Sequence, residues 1–237
     1  RLITRQAVSF IFPLPYSYKE KIEKVPGVNK VTFQNWFSGV YKDKSNFFAR
    51  LAVDHETMFD IYPEFVLSPE QLALFKKERN ACVIGADIAE QYKLKLGDQM
   101  VLEGDIYPGR WEFIVRGIYK GKNKNTDETQ MLFHWDYVNE RLKAETPVRA
   151  NDVGWYIVQV ADPNKSAMIS NQIDAIFKNS TAETKTETEK AFTQGFVSAS
   201  GAIITAMNVM SFVIIGIIML VLANTMIMAA RERTREY

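Results

Sequence analysis

The stretch ACVIGADIAEQYKLKLGDQMVLEG, residues 81–104, changes character three times in quick succession. Ala81–Gly85 is a short apolar run closed by glycine, as a buried strand should be. Ala86–Tyr92 reads as a small helix. Gly97-Asp98 is a turn signal, and Gln99–Leu102 resumes as a strand. RWEFIVRGIY, residues 110–119, follows and alternates Trp111, Phe113 and Val115 against Glu112, Ile114 and Arg116. That alternation marks a strand with one buried face. Lys120–Thr129 is polar and predicts a loop. Residues 80–132 therefore read as β-rich.

Upstream, Ser17 and Glu20 have capping-box spacing and Pro26-Gly27 closes the helix they would start. VNKVTFQNWFSGVY (28–41) reads as a strand and NFFARLAVD (46–54) as its hairpin partner. Ser68-Pro69 with Gln71 predicts a helix to about Arg79. Downstream, Trp135–Lys143 reads as a helix and GWYIVQVAD (154–162) as a strand. Asp162-Pro163 opens a helix with Ile169, Ile173, Ile176 and Phe177 on one face. A last strand is expected near Thr181–Glu187. The order predicts an α+β fold in which residues 1–79 and 133–187 form a mixed α/β part and 80–132 a β-rich insertion.

No charge occurs between Lys190 and Arg231, roughly 40 positions, where a bilayer core needs about 20 in a helix. Ala202–Ala230 is dense in Ile, Met, Val and Leu and predicts a transmembrane helix. Arg231, Arg233 and Arg235 place its far end in the cytoplasm by the positive-inside rule, whereas Lys185 and Lys190 are diluted by Glu183, Glu187 and Glu189. The bulk of the chain is thus expected outside. Phe192, Phe196, Ala199, Ile203 and Met207 recur at helical spacing, and Thr186 with Glu189 suggests a capping box. One helix is expected from about Thr188 past Arg231, with residues 188–201 as a stalk. Such a rod either transmits displacement or merely anchors. Asn208, Gly216 and Asn224 are small or polar positions suited to packing against partner helices; Ser211 and Thr225 are polar there too. The alternative is that these groups bond to their own backbone.

Composition excludes several functions. A net charge of +1, without a basic patch interleaved with aromatics, argues against nucleic acid. Cys82 is the lone cysteine, so neither an internal disulfide nor a Cys-rich metal site can form. The sequence starts at Arg1 without a signal peptide and reads as a fragment or processed chain. Asp54-His55-Glu56 is the one tempting catalytic triplet. The only other histidine is His134, and no His-x-x-x-His or His-Glu-x-x-His pattern occurs; a two-histidine site, its members 79 residues apart, is the lesser alternative. A surface or helix-start role for Asp54 is the simpler reading, and a buried apolar role for Cys82. No nucleophile elbow and no phosphate-binding P-loop is present. Catalytic, cofactor and metal residues are therefore all expected to be none. Trp36, Phe37, Tyr41, Phe47 and Phe48 form an aromatic cluster. Most of it is expected in the core, and the rest could face a partner or greasy cargo.

Four segments together resemble the MacB/FtsX-type ABC transporter permeases. NTMIMAARERTREY (224–237) resembles the exit of their second transmembrane helix. VIGADIAEQYKLKLGDQMVL (83–102), WEFIVRGIY (111–119) and IEKVPGVNKV (22–31) resemble their periplasmic core domain. The resemblance implies a porter-like part and an inserted sabre-like β-rich part, and a bacterial inner-membrane location with residues 1–200 mainly periplasmic. It implies that residues 231–237 begin a cytoplasmic coupling segment, with Arg231, Glu232, Arg233 and Glu236 touching an ABC ATPase that binds the ATP; the chain itself would hold no cofactor. Further implied partners are a second permease copy, membrane lipid, and an adaptor with an outer-membrane channel. The mechanism implied is mechanotransmission. Two other classes compete: an extracytoplasmic sensor signalling through one membrane helix, and a membrane-tethered enzyme.

Overall fold

The computed structural model describes residues 1–233, with backbone only at 196, 199–208 and 227–233. Two units follow one another along the chain, Arg1–Thr188 and Glu189 onward.

In the first unit the strands are β1 (Leu2–Gln6), β2 (Leu14–Pro15), β3 (Val28–Trp36), β4 (Gly39–Val40), β5 (Ala49–Val53), β6 (Phe65–Val66), β7 (Ala81–Gly85), β8 (Gln99–Gly104), β9 (Gly109–Gly121), β10 (Gln130–His134), β11 (Asp152–Val153), β12 (Trp155–Val160) and β13 (Thr184–Thr188). Helices α1 (Tyr18–Glu23), α2 (Met58–Ile61), α3 (Pro69–Lys77), α4 (Ala86–Tyr92), α5 (Trp135–Glu145) and α6 (Ser166–Phe177) alternate with them. Among the described residues eleven strands join in one mixed sheet of order β13-β1-β12-β3-β5-β10-β7-β9-β8-β4, with β6 attached to β9. Most neighbours are antiparallel; β5–β10 and β7–β9 are parallel. The fold is α+β. Residues 80–132 supply β7, α4, β8, β9 and the start of β10, and they join the rest of the first unit through the β5–β10, β4–β8 and β6–β9 pairings.

The alternation along β9 follows the sequence pattern. Trp111, Phe113 and Val115 are buried, each apolar side chain contributing about 1.5–3 kcal/mol, while Arg116 on the other face pairs with Glu78 at 2.6 Å. Gly97 takes φ +92°, which glycine adopts without strain, and Asp98 Oδ2 accepts from the Lys95 N–H at 2.8 Å to close the turn. α1 and α6 meet through Tyr18 stacked on Phe177, ring centres 3.9 Å apart.

Local start signals fared unevenly. Ser68 caps α3, its hydroxyl accepting from the Gln71 N–H at 3.2 Å. Ser17 does not cap α1: it is itself in helical conformation, and Glu20 pairs with Lys24 at 2.6 Å. Thr186 is no helix cap either. It lies inside β13, and its hydroxyl donates to Asp174 at 2.7 Å. On α6, Ile169, Ile173 and Phe177 are buried but Ile176 is 47% exposed, so the apolar face is narrower than the sequence suggests.

The second unit is α7, Glu189–Arg233, a single helix of 45 residues. At 1.5 Å per residue it is about 68 Å long, more than twice a bilayer core.

Candidate functional site

α7 follows β13 without an intervening loop. β13 is fixed at one edge of the sheet by β1 and by one carboxylate. Asp174 on α6 accepts from the Thr184 hydroxyl (2.8 Å), the Thr186 N–H (3.0 Å) and the Thr186 hydroxyl (2.7 Å). Arg5 of β1 adds a pair with Glu187 at 2.9 Å. The strand that leads into the rod is thereby tied to the body on both sides.

Within α7, Val209–Met226 is long and apolar enough to cross a membrane, and none of that window is buried. Phe212, Leu220 and Met226 are each more than 70% exposed. In water this surface would be strongly unfavourable; in lipid it is solvated. Thr225 bonds its own helix, donating to the Val221 carbonyl at 2.8 Å, which satisfies the hydroxyl without a neighbour. A methyl group on Gly216 would meet nothing within 4 Å, and Asn224 is exposed. Both leave room for a partner helix. Asn208, Arg231, Glu232 and Arg233 have side chains outside the described residues, and Glu236 lies outside them altogether.

In the first unit, Asp54 starts a turn as the sequence suggests, but it is buried and not on the surface, because Lys19 and the turn donors satisfy its carboxylate. Its carboxylate accepts from the Glu56 N–H at 3.1 Å and the Thr57 hydroxyl at 2.8 Å, and pairs with Lys19 at 2.6 Å. His55 behaves otherwise. β5 and β10 are parallel neighbours, with His134 in register with Val53, so both strands deliver a histidine at the same edge. The rings of His55 and His134 stack with centres 4.2 Å apart and planes 12° from parallel. His55 Nδ1 lies 3.2 Å from an Asp136 oxygen, and His134 Nε2 lies 2.6 Å from the Phe75 carbonyl oxygen. The bond to Asp136 raises the His55 pKa above the ordinary imidazole value. Burial pushes His134 down to about 4, so its ring is neutral at pH 7. The two rings close one end of a cavity of about 230 Å³ that Asp136, Lys76, Arg79 and Glu140 also line.

Sequence spacing missed this pair because separation along the chain says nothing about strand adjacency. The available signal was that each histidine follows an apolar run, ARLAV or QMLF, as a strand-end residue does.

Cys82 is fully buried and desolvation raises its thiol pKa far above neutrality, which leaves it inert. In the aromatic cluster Phe37, Tyr41 and Phe48 are core residues, whereas Phe47 is 74% exposed. Phe47 and Trp36 border a cavity of about 270 Å³ at whose wall lies Arg50. Arg50 is nearly buried; its guanidinium sits 4.1 Å over the Phe48 ring and donates to the Asn46 carbonyl at 2.7 Å.

The class is a mixed-sheet body followed along the chain by one long helix that carries a candidate membrane span. The chain belongs to the MacB-like periplasmic core domain family, which it matches over residues 3–176. Its fold is shared with the periplasmic region of MacB from Actinobacillus actinomycetemcomitans, at 12% identity and a TM-score of 0.58, covering 82% of this chain and 91% of that one. It is shared also with the extracellular domain of YknZ, a noncanonic ABC-type transporter from Gram-positive bacteria, at 13% identity and a TM-score of 0.55, covering 79% and 100%. Among curated proteins none matches the chain. The protein is thus a periplasmic or extracellular domain of an ABC-type transporter permease with a candidate membrane helix.

Proposed function

We propose that the chain is the outer domain and following membrane helix of a bacterial inner-membrane permease, which couples ATP hydrolysis by a partner ATPase to movement of its outer domain. The observation that carries this reading is continuity along the chain: the body that holds the family match over residues 3–176 is followed by β13 and then, without an intervening loop, by a 45-residue helix. A stiff rod conducts displacement, where a loop would absorb it. The chain acts mechanically, not as an enzyme, and ATP is bound by the partner. A second permease copy packs on α7 at Asn208, Gly216 and Asn224. Residues 80–132 form the β-rich insertion within a porter-like body of 1–79 and 133–187. Cargo is driven onward from the outer side, with an adaptor and an outer-membrane channel as further partners.

Arg231, Glu232, Arg233 and Glu236 make the ATPase contact in this reading. Reversing both acidic charges, Glu232→Lys with Glu236→Lys, is expected to lower permease-stimulated ATP turnover at least about fivefold, the lower range of typical coupling energies. Thermal unfolding of the outer domain should stay unchanged. Full ATP turnover in the doubly reversed protein would remove the assigned contact.

A further inference from the structure

We propose that His55, His134 and Asp136 form a binding site for a divalent transition-metal ion of the zinc, nickel or copper type. The three side chains come from the segment just after β5, the end of its parallel neighbour β10 and the first turn of α5, and each offers a ligand atom within 4.8 Å of the other two. Two imidazoles and one carboxylate are the donors such ions take, and three protein ligands leave a position open to water.

The surroundings already do what a second shell does. His134 Nε2–H donates to the Phe75 carbonyl at 2.6 Å, which fixes the tautomer and leaves the Nδ1 lone pair available. The ring is nearly buried and cannot easily turn away. His55 and Asp136 are the adjustable partners, with side chains 21% and 44% exposed. Ligand atoms around a tetrahedral ion at about 2.0–2.2 Å are separated by roughly 3.4 Å. Reaching that spacing from ligand atoms up to 4.8 Å apart takes a shift of more than about an ångström together with reorientation of the His55 ring. The His55 ring must leave the stack, because an ion lies in the plane of each ring that binds it. The cavity beside the rings gives it space, and Glu56, 3.4 Å from His55 Nε2, and Glu140 offset part of the positive charge of Lys76, Lys77 and Arg79. Ion binding would cross-link the segment after β5 to the start of α5.

The test is direct because the chain has only two histidines. The full chain, purified in detergent with a histidine-free tag, is titrated with Zn²⁺ by calorimetry and with Co²⁺ by visible absorption. The expected result is one ion per chain, visible cobalt bands displaced by zinc, and a rise in melting temperature. His55→Ala and Asp136→Asn should each weaken zinc binding at least tenfold and abolish the zinc-dependent rise in melting temperature, each measured against the same variant without metal. His134→Ala is a poor sole test, since it removes a buried hydrogen bond. Absence of stoichiometric zinc binding at 100 times the protein concentration, or affinity unchanged in His55→Ala, would overturn the site.

Discussion

Gly85→Ala is expected to prevent accumulation of folded protein. Gly85 ends β7 and stands at the N-cap of α4 with an ordinary φ of −70°, so backbone freedom is not what requires glycine. Space is. A methyl group at this position would lie 1.8 Å from the Glu128 carbonyl oxygen and 2.3 Å from its carbon, both backbone atoms. Glu128 cannot retreat cheaply. Its side chain accepts from the Gly121 N–H at 2.8 Å, and the preceding Asp127 carbonyl accepts from the Tyr119 hydroxyl at 2.7 Å. Separation would also pull on β10, which pairs with β7. The cost should exceed about 4 kcal/mol, a large part of the roughly 5–15 kcal/mol that holds a domain together. Gly97→Ala is the control. Its methyl group meets nothing within 4 Å, but φ is +92°, so the substitution costs only backbone strain of about 1–2 kcal/mol. Soluble yield and melting temperature measure both. A Gly85→Ala protein that melts like wild type would mean the 122–129 segment moves aside freely.

Asp174→Ala should produce the second large effect. The carboxylate gathers three donors from β13, and removing it strands two nearly buried hydroxyls and a backbone N–H. Thr186 keeps its contact with the Thr4 hydroxyl at 2.9 Å, which limits the loss. Bonds to charged acceptors are worth about 1.5–3 kcal/mol each but do not add fully, so about 3 kcal/mol is expected. For a domain of this size that lowers the melting temperature by about 6–12 °C. Asp174→Asn keeps one acceptor oxygen and should fall between. Because β13 leads directly into α7, the proposed coupling should suffer more than the stability does: hydrogen exchange in β13 should rise first. Unaltered protection of Thr184–Thr188 in Asp174→Ala would show that β1 alone holds this strand.

These two residues illustrate what the sequence did and did not reveal. Strand β9 was legible because one buried face imposes a period of two, and Trp111, Phe113 and Val115 obey it. The candidate membrane span was legible because a helix suited to lipid carries a long run of apolar residues without charge, here Val209–Met226. Segment order also sufficed for the family resemblance, which the match over 3–176 bears out. Asp174 was invisible. Its value depends on β13 lying beside α6, and no local pattern encodes that. The Thr186–Glu189 spacing even suggested a cap, because a threonine followed by glutamate looks the same whether its hydroxyl turns to the next helix or to Asp174. The stacked histidines were hidden for the same reason: β5 and β10 become neighbours only through a long parallel crossover.

The central claim is that one helix joins an outer body to a cytoplasmic end. Cysteine labelling in intact spheroplasts tests it with little background, since Cys82 is fully buried and its thiol is unreactive. Lys24, whose side chain is 73% exposed, and Tyr237 are each replaced by cysteine in the full-length protein. A membrane-impermeant maleimide should modify Lys24→Cys in intact spheroplasts and Tyr237→Cys only after lysis. Equal modification of both before lysis, or of neither, would place the two ends in one compartment and contradict the account.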